Sequence, residues 1–141
     1  MEKIIFVCHG NICRSVAAEY IMKKLSNNYI VSSRATSLEE IGNDIYPPMK
    51  RELMRNNIPF DRHYAQRISY EDYEEADYIF YMDDENLYYL NHMFPNSNKI
   101  HPIYQYTPSI NEIEDPWYTG NFSKVVSQIT QCIKDIIKNI I

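Results

Sequence analysis

Ile4-Ile5-Phe6-Val7-Cys8-His9-Gly10-Asn11-Ile12-Cys13-Arg14-Ser15 is the stretch that decides the fold of this chain. Ile4 to Val7 form a short, β-branched-rich apolar run, which predicts a buried strand. Downstream, apolar residues at 17, 18, 21, 22 and 25 follow the spacing of one helical face. Cys8 to Ser15 therefore occupy the turn between the end of a parallel strand and the start of a helix. Open α/β folds gather ligand sites at such turns, because backbone N–H groups and the helix dipole converge there.

The residue types in the turn fit that position. A thiol is a good nucleophile only as a thiolate, and a helix N-terminus with a guanidinium beside it lowers a cysteine pKa from about 8.5 to roughly 3.5–7.5. Cys8 opens the turn and Arg14 closes it, so the backbone between them can curl into a cup of inward N–H donors. Such a nest with a planar Arg fork fits a tetrahedral oxyanion. Gly10 is expected to permit a turn that a side chain would forbid. Asn11 tolerates the left-handed conformation and can tie the loop to polar neighbours. Ser15 can hydrogen-bond the sulfur of Cys8 and help it leave in a second step. A cysteine at a strand end is most often a small core residue, and Cys-x5-Arg alone is common by chance. Gly, Asn and Ser at these positions, between strand and helix, make the pattern specific.

Val7-Cys8-x-Gly10-Asn11-Ile12-Cys13-Arg14-Ser15 followed by Ala18-Glu19 resembles the low-molecular-weight protein tyrosine phosphatases. Asp115-Pro116-Trp117-Tyr118 resembles the second landmark of that family, and the likeness runs over nearly the whole chain. Two departures stand out. His9 replaces the usual aliphatic residue or threonine, and Val16 replaces the usual proline.

Bulk properties agree with a single enzyme domain over residues 1–141. A chain of 141 residues is large enough to bury about 68–70% of its unfolded surface. No apolar run approaches the ~18 residues of a membrane span, and the N-terminus does not read as a signal peptide. Three cysteines, two of them in one loop, argue against a disulfide framework. A reducing cytoplasm is the expected setting. A net charge of −5 disfavours nucleic acid as a partner. It also means that a phosphorylated substrate must be attracted locally, since the field of the whole protein repels it.

The remaining elements read in order. Tyr29-Ile30-Val31-Ser32-Ser33 is a second strand, followed by a loop from Arg34 to Gly42 with no clear period. The family commonly places an aromatic wall of its cleft in that loop; here Glu39 stands at the position, so no aromatic wall is expected there. Pro47-Pro48 suits the first turn of a helix running to about Asn57. His63-Tyr64-Ala65-Gln66-Arg67 resembles a family segment whose histidine braces the phosphate loop. Ser69-x-x-Asp72 is a helix N-cap signal. Tyr78 to Met82 is a third strand, and Asp83 reads as the cap of a helix over Asn86 to Met93 or as a support of the phosphate loop. Lys99 to Ile103 is a weak fourth strand whose proline suits an edge. Tyr104 to Glu114 is a long loop. From Ser123 a final helix carries an apolar stripe of Val125, Val126, Ile129, Ile133, Ile136, Ile137 and Ile140, with Cys132 as packing.

Alternating strands and helices predict a parallel sheet with helices on both faces. The resemblance adds a four-stranded order, 2-1-3-4. It also implies the chemistry: hydrolysis of phosphotyrosine or a small aryl phosphate through a cysteinyl phosphate. Cys8 is the expected nucleophile, Arg14 the oxyanion ligand and Asp115 the general acid. Pro116 restricts Asp115 to extended backbone and so narrows the directions of its carboxyl. Substrate contacts are expected from His9, Gly10, Asn11, Ile12, Cys13, Ser15, Trp117 and Tyr118, with Ser15, Asn11 and His63 supporting the loop. No cofactor or metal is expected, since the histidines are scattered, and the chain is expected to be a monomer or weak dimer. A reversible Cys8–Cys13 disulfide is a further family trait. The alternatives are a protein arginine phosphatase and a thiol-dependent arsenate reductase. Ile12, where the arginine phosphatases carry threonine, and the lack of a cysteine between Asp83 and Met93 weigh against these two.

Overall fold

Residues 1–140 are described by the computed structural model; Ile141 lies outside the described residues. The strand read at Ile4–Val7 is β1, Glu2–Cys8, and it is central. It pairs in parallel with β2, Tyr29–Ala35, on one side and with β3, Tyr78–Tyr81, on the other. A short β4, Ile100–Pro102, joins β3 to complete the order β2-β1-β3-β4. The sheet is the expected 2-1-3-4. An interior parallel strand is covered on both faces, which is why β1 is apolar without alternation.

Among the described residues, six helices connect and cover the strands. α1 (Arg14–Leu25) follows β1, and α2 (Pro47–Arg55) follows the loop after β2. α3 (Tyr70–Glu75) precedes β3, and α4 (Asp84–Met93) follows it. α5 (Pro116–Thr119) and the long α6 (Phe122–Asn139) end the fold. Successive residues of a strand point to opposite faces. Ile4, Phe6 and Cys8 thus enter the core beneath α1, α2 and α6, while Ile5 and Val7 pack with Leu90 and Phe94 on the other face. The arrangement is a three-layer α/β sandwich. Phe6 is fully buried and lies against Phe80 at 5.9 Å between ring centres. Truncating such a residue to Ala typically costs about 3–5 kcal/mol.

Element boundaries differ from expectation where distant partners decide them. β2 runs on to Ala35 because Arg34 and Ala35 pair with Val7 and Cys8. α2 stops at Arg55, with Asn57 left-handed at φ 57°. α4 begins at Asp84, directly after the Asp83 cap. The single-turn α5 is absent from the sequence reading. Asp115 starts it by accepting the Trp117 N–H at 3.0 Å, and Gly120 ends it with φ 74°. Among the described residues, no helix is long and apolar enough to cross a membrane.

Candidate active site

β1 delivers Cys8 to the floor of a cleft, and the backbone then turns around its sulfur. The N–H groups of Asn11 and Ser15 point at Cys8 Sγ at 3.3 and 3.4 Å. Ser15 Oγ lies 3.0 Å from the same sulfur. Asn11 Nδ2–H donates to Ser15 Oγ at 2.8 Å, so the Ser15 hydroxyl proton is free to donate to sulfur. Three donors on one sulfur suit an anion. Turning the loop this sharply requires a positive φ, and Asn11 supplies it at 61°. Gly10 does not: its backbone is not left-handed, contrary to the expectation that it relaxes the turn. Its role is clearance, since a Cβ there would meet Glu40 Cγ at 3.3 Å.

Arg14, the first residue of α1, is buried beside the cup. Its Nη1 is committed to Asp83 Oδ2 at 2.7 Å and to the Ile113 carbonyl at 2.8 Å. Nη2 faces Asp115 Oδ2 at 3.6 Å. Burial opposes the guanidinium charge, but Cys8, Asp83 and Asp115 outweigh it and hold the pKa of Arg14 above its ordinary value. Asp83 satisfies both readings made of it: Oδ1 caps α4 at Asn86 N, and Oδ2 fixes Arg14. Cys13 lies in the same loop. Burial, reinforced by Cys8 and Asp115, pushes its thiol far up, so it remains protonated.

Buried polar groups brace the loop from behind. His63 Nε2–H donates to the Asn11 carbonyl at 2.7 Å, and Gln66 N–H donates to Asn11 Oδ1 at 3.2 Å. Burial holds the His63 imidazole below its ordinary pKa. Asn11 also donates to Ser33 Oγ, which in turn donates to Glu19 at 2.6 Å. Glu19 and Ser33 were missed as members of this chain of bonds. Both are almost fully buried, and the one trace of them in the sequence is the place of Glu19 in the quoted Ala18-Glu19 pair.

The walls of the cleft come from separate elements. Ile12, His9, Glu39, Glu40, Asp115, Trp117 and Tyr118 all line it. Trp117 is half exposed and packs on Tyr46 at 4.5 Å, a supporting contact that the sequence did not signal. Tyr46 is itself anchored by donating its N–H to the Ile12 carbonyl at 2.9 Å. His9 Nε2 meets Glu39 Oε2 at 2.9 Å, and Nδ1 faces Glu85 Oε1 at 3.5 Å. Every residue predicted for catalysis or substrate contact except Ser15 lines this cleft, and Ser15 lies directly behind the sulfur. His63 stands behind Asn11.

Residues 3–141 match the family model for low molecular weight phosphotyrosine protein phosphatase. The human protein of that name is 40% identical over 94% of this chain and 90% of its own length. The crystal structure of a low molecular weight protein tyrosine phosphatase from Streptococcus pyogenes superposes with a TM-score of 0.92 at 32% identity, covering 100% of this chain and 94% of that one. An arginine phosphatase from Geobacillus stearothermophilus shares the fold, with a TM-score of 0.88 at 20% identity over 98% of this chain and 92% of its own. Sheet order, sequence match and structural likeness agree: the chain belongs to the low-molecular-weight phosphotyrosine protein phosphatase family.

Proposed function

We propose that this protein hydrolyses phosphotyrosine esters through a cysteinyl phosphate. The observation that carries the reading is the convergence of Asn11 N–H, Ser15 N–H and Ser15 Oγ on Cys8 Sγ, with Arg14 and Asp115 at the same cleft. In the first step Cys8 thiolate attacks phosphorus in line with the phenolic oxygen. Arg14, held by Nη1, offers Nε and Nη2 to the equatorial oxygens, and the loop amides supply the remaining donors. Asp115 gives its proton to the departing phenolate. In the second step Asp115 takes a proton from water, which attacks phosphorus and expels Cys8 as thiolate. Ser15 O–H stabilises the leaving sulfur, and inorganic phosphate departs.

Trp117 and Tyr118 offer aromatic faces for the substrate ring. Ile12, buried in the cleft lining, puts a branched apolar side chain where a guanidinium would need polar partners. That supports an aryl substrate over phosphoarginine. All three cysteines are free thiols, which suits a reducing compartment such as the cytoplasm.

The test is a substrate panel at pH 5–7: an aryl phosphate, a phosphotyrosine peptide and phosphoarginine. The expected result is turnover of the first two, with phosphoarginine at least about ten-fold slower, the penalty of leaving polar groups unpaired in an apolar site. Preferential release of phosphate from phosphoarginine would overturn the assignment of substrate.

A further inference from the structure

His9 follows the nucleophile directly and projects into the cleft wall, yet the reaction above gives it no task. Its surroundings are unusual for a substrate wall. Nε2 and Nδ1 both face carboxylates, Glu39 from the loop after β2 and Glu85 from the first turn of α4. A carboxylate only accepts, so the 2.9 Å contact requires Nε2–H to donate to Glu39. Nδ1 is buried as an atom and makes no hydrogen bond; Glu85 Oε1 stands 3.5 Å from it, within ion-pair reach. Glu39 and Glu85 keep side chains 70% and 63% exposed; Glu39 lines the cleft, and Glu85 adjoins it through His9. Glu40 lines the cleft as well and has only Asn43 as side-chain partner. One imidazole thus faces two carboxylates, Glu40 adds a third to the cleft lining, and even an imidazolium leaves this group net negative. Arg14 is the lone Lys or Arg among the lining residues, and it is buried below.

We infer that the His9–Glu39–Glu85 bridge is a specificity determinant: it makes the wall beside the phosphate cup ionic and selects phosphotyrosine flanked by Lys or Arg over phosphotyrosine flanked by Glu or Asp. The inference rests on the proposed phosphotyrosine activity and adds a substrate class to it. The phosphoryl group sits on Arg14 and the loop amides, and the ring lies towards Trp117 and Tyr118. His9 and Glu39 line the same cleft from elements other than the one that carries Trp117 and Tyr118, and are left to the neighbouring residues of the peptide. A cation there meets Glu39 and Glu85; an acid meets like charge with no lysine or arginine to offset it.

The test compares kcat/KM for two phosphotyrosine peptides identical except for Lys or Glu on either side of the phosphotyrosine. Wild type at low salt is expected to favour the Lys peptide by roughly ten-fold. The ratio should shrink towards one at high salt, because the contributing charges are exposed. The double variant E39Q/E85Q changes two solvent-exposed side chains and should bring the ratio below about three-fold, since each exposed pair contributes modestly. Equal rates for the two peptides in wild type would overturn the inference while leaving the phosphatase reading intact. So would a ratio unchanged in E39Q/E85Q. Failure to cleave either peptide would remove the phosphatase reading itself, and the inference with it.

Discussion

The phosphate cup and the rim of the same cleft are built on opposite terms. From Asn11 to Ser15 every residue is buried, and the loop is held by bonds from His63, Gln66, Ser33 and Asp83. At the rim, Glu39, Trp117 and Tyr118 are exposed and make few contacts. The cup is over-determined, so each of its members has a fixed direction before substrate arrives. The rim is under-determined, so it can differ without cost to the fold. Under the proposed function the cup and Asp115 carry the phosphoryl chemistry, and the rim adds selection among peptides.

Substitutions in the two regions should therefore separate by orders of magnitude. Cys8→Ser is expected to lower turnover at least about a thousand-fold by removing the nucleophile, with the thermal midpoint nearly unchanged; substantial residual activity would place the nucleophile elsewhere. Asp115→Asn is expected to cost about 10²–10⁴-fold on phosphotyrosine. A series of aryl phosphates should show the loss falling as the leaving group improves, since a good leaving phenolate needs no proton. A uniform loss across the series would contradict the general-acid role.

Bracing should be visible in stability. Asn11→Ala loses the side-chain bonds and also strains a left-handed backbone, whereas Asn11→Gly loses only the bonds. Urea unfolding should find the Ala variant less stable than the Gly variant by about 1–2 kcal/mol. His63 gives a pH signature. Its folded pKa lies below the ordinary value because burial disfavours the cation. The unfolded chain therefore binds the proton first, and this part of the stability is present above pH ~6.5 and is lost as pH falls below it. His63→Gln should flatten the stability profile between pH 7 and pH 5; an unchanged slope would assign that dependence to other groups. At the rim, Trp117→Ala should raise KM for aryl substrates only about three- to ten-fold, the scale of one aromatic contact, with kcat held within two-fold. A loss as large as that of Asp115→Asn would erase the distinction between the two regions.

How much of this was legible in the sequence follows the same division. Cys8, Arg14 and the left-handed Asn11 were readable because they lie in one turn whose geometry is set by adjacent residues. Asp115 is readable through the resemblance of Asp115-Pro116-Trp117-Tyr118 to the family's second landmark, and Pro116 adds only a narrower range of directions for its carboxyl. The sheet order came with the resemblance, and the alternation of strand and helix gave only its parallel character. Gly10 reads as a residue that permits a forbidden turn, but the reason for it is Glu40, thirty positions away in sequence and 3.3 Å from its absent Cβ. Ser33, Tyr46, Glu85 and the partner of Glu19 are invisible for the same reason. Each acts through a contact closed by the tertiary fold, and no local pattern in the sequence encodes the partner. Such contacts are also what make the cup rigid.

The most direct test of the central claim is to quench the enzyme during turnover of an aryl phosphate with a good leaving group, which needs no proton in the first step, and to map the phosphoryl group on the chain. Asp115→Asn serves as the trap, because hydrolysis of the intermediate is slowed when water lacks its base. The account predicts the phosphoryl group on Cys8 sulfur, in the peptide that also holds His9, with fragmentation separating the two residues. Phosphate released with no modified Cys8, or a phosphoryl group on His9, would contradict it.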